Sequence, residues 1–119
     1  MQFVLLFYQG TTPIPGTEAW KELPQDEQRQ IYADYGALNE LPGVEPGLPL
    51  GLPDDAKTVR VRNGKTVATD GPMLGSFGAV AGFSVFEADD ISSAIELAGR
   101  IPAARHGGAV EVRPVATYW

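Results

Sequence analysis

Two side chains in this sequence could carry acid–base chemistry. His106 is the single histidine of the chain, and an imidazole that titrates near neutral pH can act as a general base. Asp70 follows directly after a predicted strand, and clefts commonly form at strand ends. Each has a structural alternative, since Asp70-Gly71-Pro72 fits an Asx-type turn and a histidine beside Gly107-Gly108 fits an exposed loop. We predict Asp70 and His106 as catalytic candidates, which can act together only if the fold joins their loops.

A second group of residues could bind a ligand. Arg60 and Arg62 fall on the same face of one predicted strand, because successive side chains alternate between the faces. Guanidinium groups bind carboxylate or phosphate through paired hydrogen bonds. A basic strand face is also consistent with solvation, or with pairing to Glu87 or Glu111. Tyr8, at the end of the first predicted strand, completes the predicted ligand-binding set.

Composition narrows the chemistry further. The chain has no cysteine, which excludes disulfides and thiolate metal sites and fits a reducing compartment. One histidine does not favour a transition-metal site, and no P-loop, dinucleotide-binding or Gly-x-Ser-x-Gly pattern occurs. We therefore predict neither metal nor cofactor. A net charge of −6 without a basic run argues against nucleic acid, and the apolar start is too short to span a membrane.

The elements that must position these residues begin with a strand and a helix. Residues 2–8 are apolar at five successive positions, which is typical of a strand covered on both faces. A helix is predicted from about Pro24, because Asp26 and Glu27 suit its first turn, and it ends before Pro42-Gly43. Its predicted buried stripe comprises Ile31, Tyr35 and Leu38. The Pro- and Gly-rich segment that follows allows a short strand within residues 44–50.

The clearest local signal is a β-hairpin. Asn63-Gly64 supplies the two positive-φ residues of a type I′ turn between strands predicted at residues 57–62 and 65–69. This turn sets Arg62 opposite Lys65. The two faces then comprise Val59, Val61, Thr66 and Ala68 on one side, and Thr58, Arg60, Arg62, Lys65 and Val67 on the other.

A strand, a helix and a strand complete the chain. Residues 80–87 form a largely apolar strand, with Phe83 on one face and Ser84 on the other. Asp90 is the predicted N-cap of the helix, since a short carboxylate there accepts bonds from free backbone N–H groups, and Pro102 is its predicted end. The last strand covers residues 109–113. The apolar stripe predicted for this helix comprises Ile91, Ala94, Ile95, Ala98 and Ile101.

These elements predict one α+β domain over residues 1–119 and a homodimer. Two helices can cover only one face of a sheet, whereas the strands at residues 2–8 and 80–87 are apolar on both. Leaving the second face in water would forgo roughly several kcal/mol, at about 25 cal/mol per Å². A second copy packed face to face is the simplest cover. Tyr118 and Trp119 are expected to pack over that copy, with a frayed tail as the alternative. A folded-back Pro/Gly loop is the alternative.

Five segments carry a family resemblance. They read FVLLFY (3–8), LPQDEQRQIYADYGALNEL (23–41), TVRVRNGKTVATDGP (58–72), GFSVFEADD (82–90) and IPAARHGGAVEVRPV (101–115). Together they resemble the YCII-related family, in its DGPF-domain branch. The resemblance implies a ferredoxin-like βαββ(β)αβ antiparallel sheet with two helices on one face, of the dimeric α+β barrel type. It also implies a bacterial, cytoplasmic protein, and some members accompany extracytoplasmic-function sigma factors.

Three departures from the family pattern bear on activity. The DGPF signature reads Asp70-Gly71-Pro72-Met73 here, and the uncharged residues 74–78 replace the charged segment that usually follows. Another branch carries a His–Asp pair proposed for acid/base or hydrolytic chemistry. Its histidine lies near the first helix, where this chain has none.

Two hypotheses for function result. The first is a small dimeric domain that binds a small molecule or a regulatory protein partner in a cleft between subunits. The second is an acid/base enzyme, hydrolase- or lyase-like, with Asp70 as base and His106, Arg60 or Tyr8 assisting. The relative position of the Asp70 and His106 side chains distinguishes the two.

Overall fold

The computed structural model describes residues 1–118, and Trp119 lies outside them. Its elements follow the predicted order, with two additional short helices. They are β1 (Gln2–Tyr8), α1 (Glu18–Lys21), α2 (Gln25–Glu40), β2 (Val44–Pro46), β3 (Lys57–Arg62), β4 (Lys65–Asp70), β5 (Val80–Glu87), α3 (Ile91–Ala98), α4 (Pro102–Arg105) and β6 (Ala109–Pro114), with a 3₁₀ helix at Pro53–Asp55. Within the described residues, none of the helices combines the length and apolar character needed to cross a bilayer.

Four strands form one antiparallel sheet in the order β2-β5-β1-β6. β1 lies in the middle, where Leu5 faces Ser84 of β5 on one side and Val112 of β6 on the other. With the hairpin β3–β4 set aside, the main elements follow the βαββαβ order of ferredoxin-like domains. The predicted α+β, ferredoxin-like class is therefore confirmed.

The core lies between this sheet and the helices. Phe3, Leu5 and Phe7 alternate along β1 and are buried. Leu5 and Phe7 belong to a buried cluster with Leu38, Leu97, Ile101 and Ala103. Side chains of this size stabilise a fold by about 1.5–3 kcal/mol each when buried. The opposite face of β1 and β5 is also apolar, as predicted. It consists of Val4, Leu6, Phe83 and Val85, which are half-buried.

The apolar stripe predicted for α3 was partly wrong. Ile91 and Ile95 are 44% and 57% exposed, and Leu97 is buried beside Ala94 and Ala98 in their place. The helix spans only two turns, and the i, i+3, i+4 spacing from Ala94 selects the side that contacts the sheet. Asp90 is the N-cap, as predicted, and accepts a bond from the Ser93 amide at 3.0 Å.

Pro102 was predicted to end α3 but instead begins α4. Helix α3 ends at Ala98, and Gly99 is its C-cap. Proline is suited to the first turn of a helix because the N–H that it lacks would have no partner there. The chain therefore turns between Gly99 and Pro102, which carries α4 across the end of β1 and β6.

The hairpin has the predicted register but forms its own sheet. Arg62 pairs with Lys65, and both Asn63 and Gly64 have positive φ, as the type I′ turn requires. The β3–β4 pair shares no strand pairing with the four-stranded sheet among residues 1–118. Its valines are open to solvent, Val61 at 69% exposure.

Candidate functional site

Asp70 lies at the end of β4, on the exposed hairpin. Its carboxylate forms an ion pair with Lys57, the residue opposite in β3, and its side chain is 87% exposed. Gly71 has φ +90° and donates its N–H to Ala56 at 2.8 Å. The Asp70 carboxylate thus links the two strands of the hairpin through its ion pair with Lys57. Arg60 and Arg62 lie on the same hairpin in the predicted register, and both are exposed.

His106 lies elsewhere, at the C-cap of α4. Its backbone N–H donates to the Pro102 carbonyl at 3.0 Å. Arg105 and Gln30 are the main causes that lower the pKa of Asp34 in α2, and His106 makes the smallest contribution. Within residues 1–118, no hydrogen bond or ion pair joins His106 to Asp70. The structure therefore gives the two predicted catalytic residues different neighbours.

A concave site lies beside α2, and we call it the α2 cleft. Its volume is about 360 Å³, within the usual range for small-molecule pockets of about 300–1,000 Å³. α2, the loop after β1, the segment after β2, the middle of β5 and the start of α4 form its walls. The lining residues are Phe7, Tyr8, Gln9, Thr12, Pro13, Ile14, Pro15, Trp20, Ile31, Tyr32, Tyr35, Asn39, residues 46–50, residues 81–84, Pro102 and Ala103.

Gly47 lets the segment after β2 lie directly against β5. Its N–H donates to the Phe83 carbonyl at 3.0 Å, and the N–H of Leu50 donates to Ala81 at 3.0 Å. A Cβ at Gly47 would come within 2.4 Å of the Phe83 carbonyl oxygen and 2.5 Å of its ring. The absence of a side chain at Gly47 therefore sets one wall of the α2 cleft.

A second close approach positions Thr12. Gly107 and Gly108 lie against the loop after β1, where the Thr11 N–H donates to the Gly107 carbonyl at 3.0 Å. A Cβ at Gly108 would come within 2.8 Å of Thr12 Oγ1 and 2.3 Å of the Tyr8 carbonyl oxygen. The glycine pair after His106 therefore permits the contact that brings Thr12 to the cleft.

Two residues that line the α2 cleft carry buried hydroxyls with no partner among the described residues. They are Thr12 Oγ1 and Ser84 Oγ. Ser84 is 1% exposed and lies on the helix side of β5, opposite Leu5. Burying a hydroxyl without a hydrogen bond costs about 1–3 kcal/mol, and nearly all buried polar groups in native proteins have partners. These two groups are consistent with a polar partner that binds in the cleft.

The Tyr35 hydroxyl is a further polar group of the lining. It packs against Phe7 with ring centroids 6.1 Å apart, and the backbone N–H of Ala103 bonds to its hydroxyl. Burial raises the pKa of Tyr35, and the bond from Ala103 and the charge of Arg105 offset this only in part. The Tyr35 phenol is therefore neutral at physiological pH and retains its own proton as a donor.

An ion pair lies beside Tyr35, at the neighbouring residue of α2. Arg105 of α4 donates to the Asp34 carboxylate of α2, which also accepts from Gln30 at 2.8 Å. The guanidinium is the main cause that lowers the pKa of Asp34, followed by the Gln30 bond, while desolvation opposes them. The pair ties α2 to α4 next to the Tyr35–Ala103 bond.

The chemistry available in the α2 cleft is that of apolar contact and neutral hydrogen bonds. No lining residue in the described chain carries a charged side chain. Nor do residues 1–118 contain three grouped histidine or carboxylate side chains that could hold a metal ion. The arrangement suits binding and provides no nucleophile–base pair inside the cleft.

Sequence reasoning predicted one residue that borders this site, Tyr8, and missed the buried hydroxyls. Ser84 had a detectable signal, since it is the polar residue on the helix side of an otherwise apolar strand, next to Phe86. Thr12 had none, because its burial depends on a contact with Gly108, which is distant in the chain.

Fold and site together define a small ferredoxin-like domain with an apolar cleft between its helices and its sheet. The model of the YCII-related domain matches residues 1–118. The chain belongs to the YCII-related family. A search of the curated proteins finds no match to this chain.

Proposed function

We propose that this domain binds a small, largely apolar molecule in the α2 cleft of each chain. The observation that carries the proposal is the combination of a concave apolar site of about 360 Å³ with buried, unpartnered hydroxyls at Ser84 and Thr12. An engineered apolar cavity of about 150 Å³ already holds benzene. The cleft has room for a two-ring molecule.

The binding hypothesis has more structural support than the acid/base alternative. Asp70 is paired with Lys57 on the exposed hairpin, and His106 neighbours the ion pair of Asp34 and Arg105. A general base needs hydrogen-bond reach to the proton that it removes. Neither residue lines the α2 cleft.

Isothermal titration calorimetry with naphthalene and 1-naphthol tests the proposal. We expect saturable binding by the natural chain. Ile14→Phe, which enlarges a lining side chain, should weaken binding at least about tenfold, as a loss of about 1.4 kcal/mol would. Leu52→Phe is the matched control, because Leu52 is exposed and outside the lining. No heat of binding for either compound, or equal weakening in both variants, would contradict the proposal.

We also propose that the chain forms a homodimer through the open face of its sheet. Val4, Leu6, Phe83 and Val85 form an apolar stripe on that face, and the helices occupy the other side. Each such residue, once buried, would contribute up to about 1.5–3 kcal/mol. A second copy related by two-fold symmetry presents the same stripe and can cover this one.

Sedimentation at micromolar concentration tests the dimer. We expect a dimer for the natural chain and a monomer for Leu6→Glu, which places a charge in the centre of the stripe. Ile95→Glu is the control, since Ile95 is exposed on the outer side of α3. A monomeric natural chain would overturn the dimer and leave the α2 cleft intact, because one chain forms the cleft.

We also propose a cellular location and a source for this protein, from two observations on its sequence. The absence of cysteine favours the cytoplasm of the cell. Asp70-Gly71-Pro72 supports membership of the DGPF branch, and with it a bacterial source and a sigma-factor-associated regulatory role. Under this proposal, ligand binding in the α2 cleft would modulate a protein partner rather than precede a reaction.

A further inference from the structure

We infer that the ligand of the α2 cleft is an uncharged molecule, mostly apolar, with one hydrogen-bonding oxygen or nitrogen held by Ser84 and Thr12. This inference rests on the proposed binding function and specifies the class of ligand. It follows from three features of the cleft: its unpartnered hydroxyls, its lack of charge and its aromatic walls.

The unpartnered hydroxyls indicate that the ligand carries one hydrogen-bonding group. Ser84 lies on β5 between Phe83 and Val85, at a position where alanine would fill nearly the same volume. Its Oγ is buried without a partner among the described residues, as is Thr12 Oγ1 in the loop after β1. A hydroxyl can donate one bond and accept two. A ligand hydroxyl, carbonyl or amide group can therefore satisfy them.

Within residues 1–118, the lining of the α2 cleft has no charged side chain, which argues against an anion or a cation as its ligand. Asp34 and Arg105 are paired with each other and are outside the lining, as are the arginines of the hairpin. An ion in this cleft would lose its hydration without gaining a counter-charge, which is strongly unfavourable. Arg60 and Arg62 do not line this cleft. Their predicted binding of carboxylate or phosphate would therefore occur at a different place in the molecule.

The walls specify the rest of the ligand. Trp20 and Tyr32 contact each other edge to face, with ring centroids 5.3 Å apart, and Phe7 and Tyr35 form a second aromatic pair. Aromatic rings favour offset or edge-to-face neighbours. A flat ring system with a single polar substituent fits this combination of walls and hydroxyls.

Three probes of one shape separate the possibilities. Naphthalene has no polar group, 1-naphthol carries a hydroxyl, and 1-naphthoate carries a negative charge. We expect 1-naphthol to bind about tenfold more tightly than naphthalene, the equivalent of one good neutral hydrogen bond, and 1-naphthoate to bind at least tenfold more weakly than 1-naphthol.

Ser84→Ala and Thr12→Val test the role of each hydroxyl. In the double variant the preference for 1-naphthol over naphthalene should disappear, while the affinity for naphthalene is retained. Ser76→Ala is the control, since Ser76 is exposed and outside the lining, and it should preserve the preference. Retained naphthalene binding also shows that the double variant is folded.

The outcomes separate this inference from the proposed function. Equal binding of naphthalene and 1-naphthol by the natural chain would overturn the inference, because the hydroxyls would then make no bond to the ligand, and the binding function would stand. Tighter binding of 1-naphthoate would overturn it as well. Failure of all three probes to bind would overturn the binding function itself.

Discussion

Replacing Ser84 by alanine should stabilise the ligand-free protein. Most substitutions at a position that is 1% exposed reduce stability. Here the Oγ atom is buried without a partner among the described residues, so its removal relieves an unsatisfied polar group. The backbone pairing of Ser84 with Leu5 is unaffected.

The magnitude follows from two opposing contributions. An unsatisfied buried hydroxyl costs about 1–3 kcal/mol, and its removal recovers this free energy. The space left by the oxygen atom offsets part of the gain. We expect the free energy of unfolding to rise by about 0.5–2 kcal/mol. For a domain of this size, such a change raises the melting temperature by roughly 2–8 °C.

Urea denaturation of the ligand-free chain, with Ser84→Ala beside Ser76→Ala, measures the difference. Ser76 is exposed, and its substitution should change the free energy of unfolding by less than about 0.5 kcal/mol. The m-values should agree, since neither substitution changes the surface exposed on unfolding. A loss of stability of more than about 1 kcal/mol in Ser84→Ala would refute the reasoning, because it would show that the hydroxyl has a partner.

Three further substitutions test two contacts beside the cleft and the turn of the hairpin. Tyr35→Phe removes the acceptor of the Ala103 N–H, so urea denaturation at neutral pH should show a loss of about 1–2 kcal/mol. Because the pKa of Tyr35 is raised, the natural chain should also lose stability as the pH rises above about 10, and this decline should be smaller in Tyr35→Phe. Asp34→Asn removes the partner of Arg105 and should lower stability at pH 7 by about 0.2–1 kcal/mol. Since the pKa of Asp34 is lowered, that difference should vanish as the pH falls through it, which thermal melts in acid would reveal. Gly64→Ala places a side chain at φ +75° and should destabilise the hairpin by about 1 kcal/mol, seen as amide shifts confined to β3 and β4.

Local signals in the sequence predicted most elements of the fold. Asn63-Gly64 fixed the register of the hairpin by turn chemistry alone, and the bounds of β1 and β5 followed from continuous apolar runs. The side of α3 that faces the sheet was only partly predicted. Ile91 and Leu97 are both apolar, and the choice between them depends on how the helix lies on β1 and β6.

The candidate site was much less accessible to sequence reasoning. It is built by contacts between distant segments, such as Gly47 with Phe83 and Gly108 with Thr12. Sequence reasoning favours chemically reactive residue types, and so it selected Asp70 and His106. The α2 cleft instead depends on glycines, apolar walls and neutral hydroxyls, which are common in any core.

The α2 cleft itself is tested most directly by a proton–nitrogen correlation spectrum of the full chain titrated with 1-naphthol. We predict saturable shifts that are largest at the amides of Thr12, Leu48 and Ser84, which surround the cleft. Shifts concentrated at Asp70 and Arg60 on the hairpin, or a spectrum that does not change, would contradict the assignment of ligand binding to this cleft.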